Sequence, residues 1–223
     1  MQPLLANSEN DTATTPSRSI VLCAVPGAGE NRCSELLQRG GALDVRRWLD
    51  FETVAPPLLT QFGVDQVDEY ITALHRHHTS PDGVFGLLLG WHDIRRLLRR
   101  VVGPRQSTPQ RVLDIIEVVA PEPTFVRVRR EDRAGHVLAL HAWQQRPRGA
   151  PGDAPSAQTP GDPRRLEALI EATDAVWAQW FTAIGCEPVE VTYENLVDSP
   201  DAQRDLVTRL GLVPAGSLSR SDR

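Results

Sequence analysis

A glycine-rich segment close to the amino terminus has the composition of an anion-binding turn. Its six residues are Pro26, Gly27, Ala28, Gly29, Glu30 and Asn31. A turn of this kind exposes backbone N–H groups, and the helix expected after it adds its positive end, so the segment can bind an anion. Glu30 adds a negative charge there, and two like charges about 4 Å apart repel by about 4 kcal/mol at an effective dielectric constant of about 20. Two interpretations stay open: an anion site that Glu30 weakens, or a structural turn in which Glu30 caps the helix.

Arginine supplies every fixed positive side-chain charge in this chain. All 24 basic residues are arginine and lysine is absent, which excludes Schiff-base chemistry, a lysine base and a complete Walker A loop. Arg129 and Arg130 end an alternating apolar segment, and the fork of an arginine suits a phosphate. The alternative interpretation of Arg130 is an ion pair with Glu131 or Asp132.

The elements that would position these residues follow from hydrophobic periodicity. Apolar or alternating runs predict strands over residues 20–25, 84–89, 124–129 and 188–193. Apolar positions three or four residues apart predict helices over residues 30–39, 65–77, 94–102, 132–145, 164–184 and 201–210. The period of residues 112–119 fits a helix or a strand. This alternation predicts an α/β fold with a central parallel sheet and helices on both sides, in which residues 26–30 link a buried central strand to a helix.

Composition limits the class of protein. The chain has 223 residues, of which 40% are hydrophobic and 24% are charged, and its formal net charge is −5. These values predict a single cytoplasmic domain with disordered ends at 1–18 and 214–223, and they disfavour nucleic acid as a partner. Three scattered cysteines exclude a disulfide framework or a zinc site, and the longest apolar run is too short to cross a membrane. Residues 146–163 are rich in Pro, Gly, Ala and Asp and are predicted to form a flexible insert or lid.

Four stretches of the sequence, in this order and spacing, resemble one family. They are residues 21–29 with 34–37, residues 81–86 with Leu89 and Trp91, residues 123–132, and residues 177–181 with positions within 185–196 and 210–212. Together they cover residues 19–213 and resemble the bacterial trehalose 2-sulfotransferase-like family. The resemblance implies a P-loop-like three-layer α/β fold. It also implies transfer of a sulfuryl group from 3′-phosphoadenosine-5′-phosphosulfate (PAPS) to a hydroxyl group, such as that of a carbohydrate.

The resemblance also implies roles for individual residues. Segment 26–31 would bind the 5′-phosphosulfate end of PAPS, and Arg130 would bind the 3′-phosphate. The general base that takes the proton of the acceptor falls on Trp48 in an ungapped alignment, and Asp50 or Glu52, two to four residues further along, would serve in its place. No metal is implied, and the expected partner is a small-molecule hydroxyl acceptor, a sugar or a glycolipid. Whether the chain forms a homo-oligomer stays open.

At several positions the family pattern has a cation, a base or a hydroxyl group that this chain lacks; they are Gly27, Trp48, Leu88, Gly135 and Ala139. Gly27 replaces an arginine of the loop, and Leu88 replaces a lysine near the transferred group. On this basis nucleotide binding is expected to be weak, and changing Gly27 to Arg together with Glu30 to Ser is expected to strengthen it. The same departures raise an alternative hypothesis, in which the chain is a degenerate, non-catalytic member that acts as a binding or regulatory partner.

Overall fold

The computed structural model describes residues 15–40, 44–101, 108–145 and 162–212. Within these ranges the chain forms four strands, which are β1 (Arg18–Ala24), β2 (Val84–Leu89), β3 (Pro123–Arg129) and β4 (Val189–Thr192). The same ranges contain nine helices, which are α1 (Glu30–Arg39), α2 (Ala55–Phe62), α3 (Val67–His78), α4 (Trp91–Val101), α5 (Pro109–Val119), α6 (Arg133–Gln144), α7 (Pro163–Ala183), α8 (Tyr193–Asp198) and α9 (Pro200–Arg209). The alternation of strands and helices confirms the predicted α/β class.

The four strands form one parallel sheet in the order β2-β1-β3-β4. Strand β1 therefore lies in the middle, with Cys23 opposite Leu89 of β2 on one side and Arg127 of β3 on the other. Parallel pairing brings the carboxyl ends of the strands to one edge of the sheet, which is where ligands bind in open α/β sheets. The turn after β1, the residues after β2 and Arg130 after β3 all leave the sheet at this edge.

Helices cover both faces of the sheet. Val21 and Cys23 of β1 belong to a core that α2, α3, α4, α5 and α7 complete. Ile20 and Leu22 point to the other face and pack in a second core with α1, α8 and α9. Because both faces are buried, β1 is apolar at every position from Ile20 to Ala24 rather than at alternate ones. This arrangement confirms the expected three-layer architecture.

Some elements differ from the periodicity-based predictions. Residues 112–119, which fitted a helix or a strand, belong to α5, because Thr108 caps this helix by accepting from the Arg111 N–H and Pro109 suits its first turn. The predicted strand over 188–193 ends at Thr192, whose side chain accepts from the Asn195 N–H and caps α8. Helices α2 and α8 have only eight and six residues, which is too short for a clear period.

Two predicted segment boundaries also shift. Strand β1 begins at Arg18, inside the predicted lead 1–18, and the Ser17 N–H already donates to the Gly83 carbonyl at 2.9 Å. Asp162 caps α7 and Pro163 starts it, so these two residues are part of a helix end rather than of a flexible insert. Residues 146–161 of that predicted insert, like 1–14 and 213–223, lie outside the described residues. Of the helices described, none is long and apolar enough to cross a membrane.

Candidate functional site

The glycine-rich segment forms a tight turn between the central strand and the first helix. Gly27 and Gly29 have positive φ angles of 84° and 101°, a conformation that residues with a Cβ disfavour. The Ala28 N–H donates to the Val25 carbonyl at 3.0 Å, and α1 begins at Glu30. These features confirm the prediction that the segment links a buried central strand to a helix.

The carboxylate of Glu30 folds back onto this turn. The Gly27 N–H donates to Glu30 Oε1 at 3.0 Å and to Oε2 at 3.1 Å, and the Gly29 N–H donates to Oε2 at 3.2 Å. Backbone N–H groups that converge on one anion form a nest, the arrangement by which glycine-rich loops bind phosphate. Glu30 is only 8% exposed. The turn therefore binds an anion, and that anion is the chain's own carboxylate.

Helices α6 and α8 pack closely against the nest. A Cβ added to Gly27 would lie 2.9 Å from both Ala139 Cβ and the Leu140 backbone nitrogen, in α6. A Cβ added to Gly29 would lie 2.6 Å from Cδ2 of Tyr193, at the start of α8. An arginine at position 27 would thus meet helix backbone as well as an unfavourable φ. The gain expected from Gly27→Arg together with Glu30→Ser stays a prediction, but this packing argues against a contribution from Gly27→Arg.

Arg130 lies on the same side of the sheet as the nest. Its guanidinium carbon is 4.4 Å from the centre of the Tyr193 ring, a cation–π contact. Because Tyr193 also lies against Gly29, the aromatic ring joins the nest to the arginine. Arg130 Nη2 is 3.3 Å from Asp132 Oδ2, so the ion pair that was the alternative interpretation is present. The sequence-predicted loop and Arg130 are therefore brought together, by a tyrosine to which the sequence assigned no role.

Two carboxylates lie close to Arg130. Glu194 accepts from the N–H groups of Glu131 at 3.2 Å and Asp132 at 3.1 Å. Burial would raise the pKa of Glu194, but these backbone donors and the charge of Arg130 outweigh it, so the pKa is lowered. The pKa of Asp132 is lowered as well, mainly by the hydrogen bond from the Gly135 N–H and then by the hydrogen bond and charge of Arg130. Asp132 and Glu194 thus balance the charge of Arg130, in the same way that the carboxylate of Glu30 occupies the nest.

The two predicted base candidates lie in a turn before α2. Asp50 accepts from the Glu52 N–H at 3.0 Å, from the Thr53 N–H at 3.3 Å and from the Thr53 hydroxyl at 2.7 Å. Glu52 forms an ion pair with Arg96 at 2.7 Å. Trp48, at the position of the family's base, is buried and donates from Nε1 to the Gly86 carbonyl at 2.9 Å. The catalytic roles of Asp50 and Glu52 stay predictions.

A charged cluster at the end of β2 was not predicted from the sequence. Asp93 is 1% exposed, and its Oδ2 accepts from the Gly90 N–H at 2.8 Å and from Arg47 Nη2 at 2.8 Å. His92 Nε2 contacts Arg47 Nη2 and lies 3.1 Å from Asp93 Oδ1. Burial would raise the pKa of Asp93, but His92 and Arg47 outweigh it and lower the pKa. Since Arg47 and Asp93 stand 46 positions apart, no local sequence pattern could have paired them.

Leu88, where the family pattern has a lysine, is buried in the second core. Its burial excludes a solvated cation at this position in the described arrangement.

Comparisons with known proteins show which family the chain belongs to. The family model described as Stf0 sulphotransferase matches residues 13–217. Among curated proteins, the trehalose 2-sulfotransferase of Mycolicibacterium smegmatis is 26% identical over 135 residues, which are 57% of this chain and 49% of that protein. The aligned part thus spans about half of the relative's length. Because the family model covers most of the chain, the protein belongs to the Stf0 sulphotransferase family.

Proposed function

We propose that this chain transfers a sulfuryl group from PAPS to a hydroxyl group of a small molecule, with a sugar or a glycolipid as the acceptor. The observation that carries the proposal is an anion nest at Gly27 and Gly29 that is joined to Arg130 through the ring of Tyr193. PAPS carries anionic groups at its 5′ and 3′ positions, so it needs two such sites. Family membership supports the same reaction class.

The residues present fit the two charged ends of this donor. The N–H groups of Gly27 and Gly29 already bind two carboxylate oxygens, and they would bind oxygens of the 5′-phosphosulfate once Glu30 turns away. Arg130 is suited to the 3′-phosphate because its Nε is buried and makes no hydrogen bond to any described residue. Release of Glu30 is thus a condition for donor binding.

In the proposed reaction the acceptor oxygen attacks sulfur while the bond between sulfur and the phosphate oxygen breaks. Adenosine 3′,5′-bisphosphate (PAP) leaves with the electron pair, and the hydroxyl proton passes to a general base. Asp50 and Glu52 are the proposed bases. Either would have to exchange its contacts with Thr53 or Arg96 for the acceptor hydroxyl.

The acceptor class rests on the relative, whose name states that it acts on trehalose. We extend this only to a hydroxyl-bearing carbohydrate or glycolipid. We also propose a cytoplasmic reaction, in keeping with three free cysteines, of which Cys23 and Cys33 are buried.

The test is a transfer assay with PAPS carrying ³⁵S and a panel of sugars that includes trehalose. We expect a labelled, alkali-stable product from the parent protein. Arg130→Gln should lower kcat/KM by roughly 10- to 150-fold, since a hydrogen bond to a charged group contributes about 1.5–3 kcal/mol. Arg129→Gln is the matched control, because Arg129 is about half exposed and pairs with Glu190.

Three results would contradict the proposal. They are a folded parent that neither binds PAP nor labels any acceptor, an equal loss in Arg129→Gln, and full activity in Arg130→Gln. The first of these would favour a non-catalytic member of the family.

A further inference from the structure

One face of helix α6 runs past three separate charged sites. Gly135, Ala139 and Trp143 stand four residues apart, so they lie on one side of the helix, with a rise of about 6 Å from each to the next. A Cβ at Gly135 would collide with Arg130, and Ala139 touches the turn at Gly27. The third position, Trp143, has the guanidinium carbon of Arg47 5.3 Å from its ring centre.

The backbone before Arg47 runs along the outer edge of β2, because Arg46 pairs with Leu87 on the side away from β1. From there the guanidinium of Arg47 reaches Trp143 at the carboxyl edge of the sheet. Trp143 packs against the small core that contains Val25, the last residue before the turn. Strands β1 and β2 are paired up to Cys23 and Leu89, so the residues that follow them leave the sheet side by side. Gly90, which follows Leu89, lies against Arg47: a Cβ there would be 2.9 Å from Nη2.

The guanidinium of Arg47 is fixed on one side. Its Nε and Nη2 donate to Asp93 Oδ2 at 3.2 Å and 2.8 Å. Its Nη1 donates to none of the described residues, and the side chain keeps 15% exposure. A guanidinium anchored through one edge presents its remaining donors in a set direction, which suits an anion with several oxygens.

We propose that Arg47 binds the sulfuryl oxygens of the donor and supplies the cation that the turn lacks at Gly27. This inference rests on the proposed function and adds a residue to it. Along α6 the order is Arg130, the nest and then Arg47, which matches the donor's order of 3′-phosphate, 5′-phosphate and sulfuryl group. Arg47 takes no proton; it stabilises charge on the transferred group and on the leaving phosphate as the sulfur–oxygen bond breaks.

The test compares two nucleotides that differ only in the sulfuryl group. Calorimetry with PAPS and with PAP, without acceptor, is carried out on the parent, Arg47→Lys, Arg47→Gln and the control Arg46→Gln. Arg46 is the neighbouring arginine, and its side chain is 63% exposed. In both Arg47 variants we expect affinity for PAPS to fall at least tenfold while affinity for PAP changes less than twofold. With an acceptor that the parent uses, kcat should fall about 100-fold.

If the Arg47 variants unfold because Asp93 is left buried without its arginine partner, a measurement on the parent protein still tests the proposal. The ¹⁵Nε–H signal of Arg47, assigned by NMR, should shift on addition of PAPS and stay in place with PAP. Equal effects of the two nucleotides, on the variants or on this signal, would overturn the role of Arg47 while leaving the proposed function intact. A parent that binds neither nucleotide would instead overturn the proposed function, and the inference with it.

Discussion

Replacing Glu30 by serine should free the nest at Gly27 and Gly29 for an external anion. Two N–H groups now donate to the Glu30 carboxylate, and a hydrogen bond to a charged group contributes about 1.5–3 kcal/mol, so the lower value gives about 3 kcal/mol of competition. When PAP displaces Glu30 in the parent, the glutamate side chain regains about 1 kcal/mol of conformational entropy, which reduces the competition by that amount. The remaining 2 kcal/mol or so corresponds to a Kd for PAP about 30-fold lower in Glu30→Ser.

Titration calorimetry with PAP measures this change. Glu30→Gln should give an intermediate Kd, because the amide oxygen still accepts a hydrogen bond but carries no charge. Glu35→Gln is the matched control on the same helix, since Glu35 is about half exposed and pairs only with Arg32 and Arg39 within the described residues. Its Kd should equal that of the parent.

The stability of the ligand-free protein should change in the opposite direction. Glu30→Ser removes the carboxylate that the nest holds, which costs about the same 2 kcal/mol and lowers Tm by about 4–8 °C in a chain of this size. Tighter PAP binding in a less stable protein is the specific signature of an occupied nest. A Kd equal to that of the parent, or the same gain in Glu35→Gln, would refute the reasoning.

Three further predictions follow from the same contacts. Gly27→Arg should lower the unfolding free energy by about 1–3 kcal/mol for the contact with α6 alone, and Tm with it. It should not tighten PAP binding measured by calorimetry, and a tighter Kd would contradict the packing at Gly27. Trp48→Phe should cost about 1–3 kcal/mol in urea unfolding because the Gly86 carbonyl loses its donor, and an unchanged midpoint would contradict this. Asp93 has a lowered pKa in the folded state, so its contribution to stability is complete above the unfolded pKa of about 3.9 and is lost as the pH falls below it. Asp93→Asn should therefore lose less stability than the parent between about pH 4 and pH 2, measured by thermal melts; parallel curves would refute that assignment.

The sheet and the turn could be predicted because their signals are local. An unbroken apolar run before Pro26 is what a strand buried on both faces requires, and two glycines follow where φ is positive. The sequence also showed the charge of Glu30, but it did not show where the carboxylate points. Its carboxylate turns back onto the N–H groups of Gly27 and Gly29, so the repulsion expected for an incoming anion is at the same time an attraction within the chain.

The rest of the site depends on contacts between distant segments. The absent cation at Gly27 looked like a simple loss, yet the packing of Ala139 and Leu140 leaves no room for a Cβ there. Arg47 and Asp93 meet because Arg46 pairs with Leu87 on the outer edge of β2 and α4 starts just after that strand. Tyr193 was expected to end a strand, and its ring joins Arg130 to the turn because Thr192 starts a helix instead. Such contacts follow from tertiary packing, which residue spacing does not encode.

A crystal structure of Glu30→Ser with PAP tests the central claim most directly, because it shows where each end of the nucleotide binds. We expect the 5′-phosphate on the N–H groups of Gly27 and Gly29 and the 3′-phosphate on the guanidinium of Arg130, with the Tyr193 ring between them. A nucleotide bound elsewhere, or an empty nest at saturating PAP, would contradict the account.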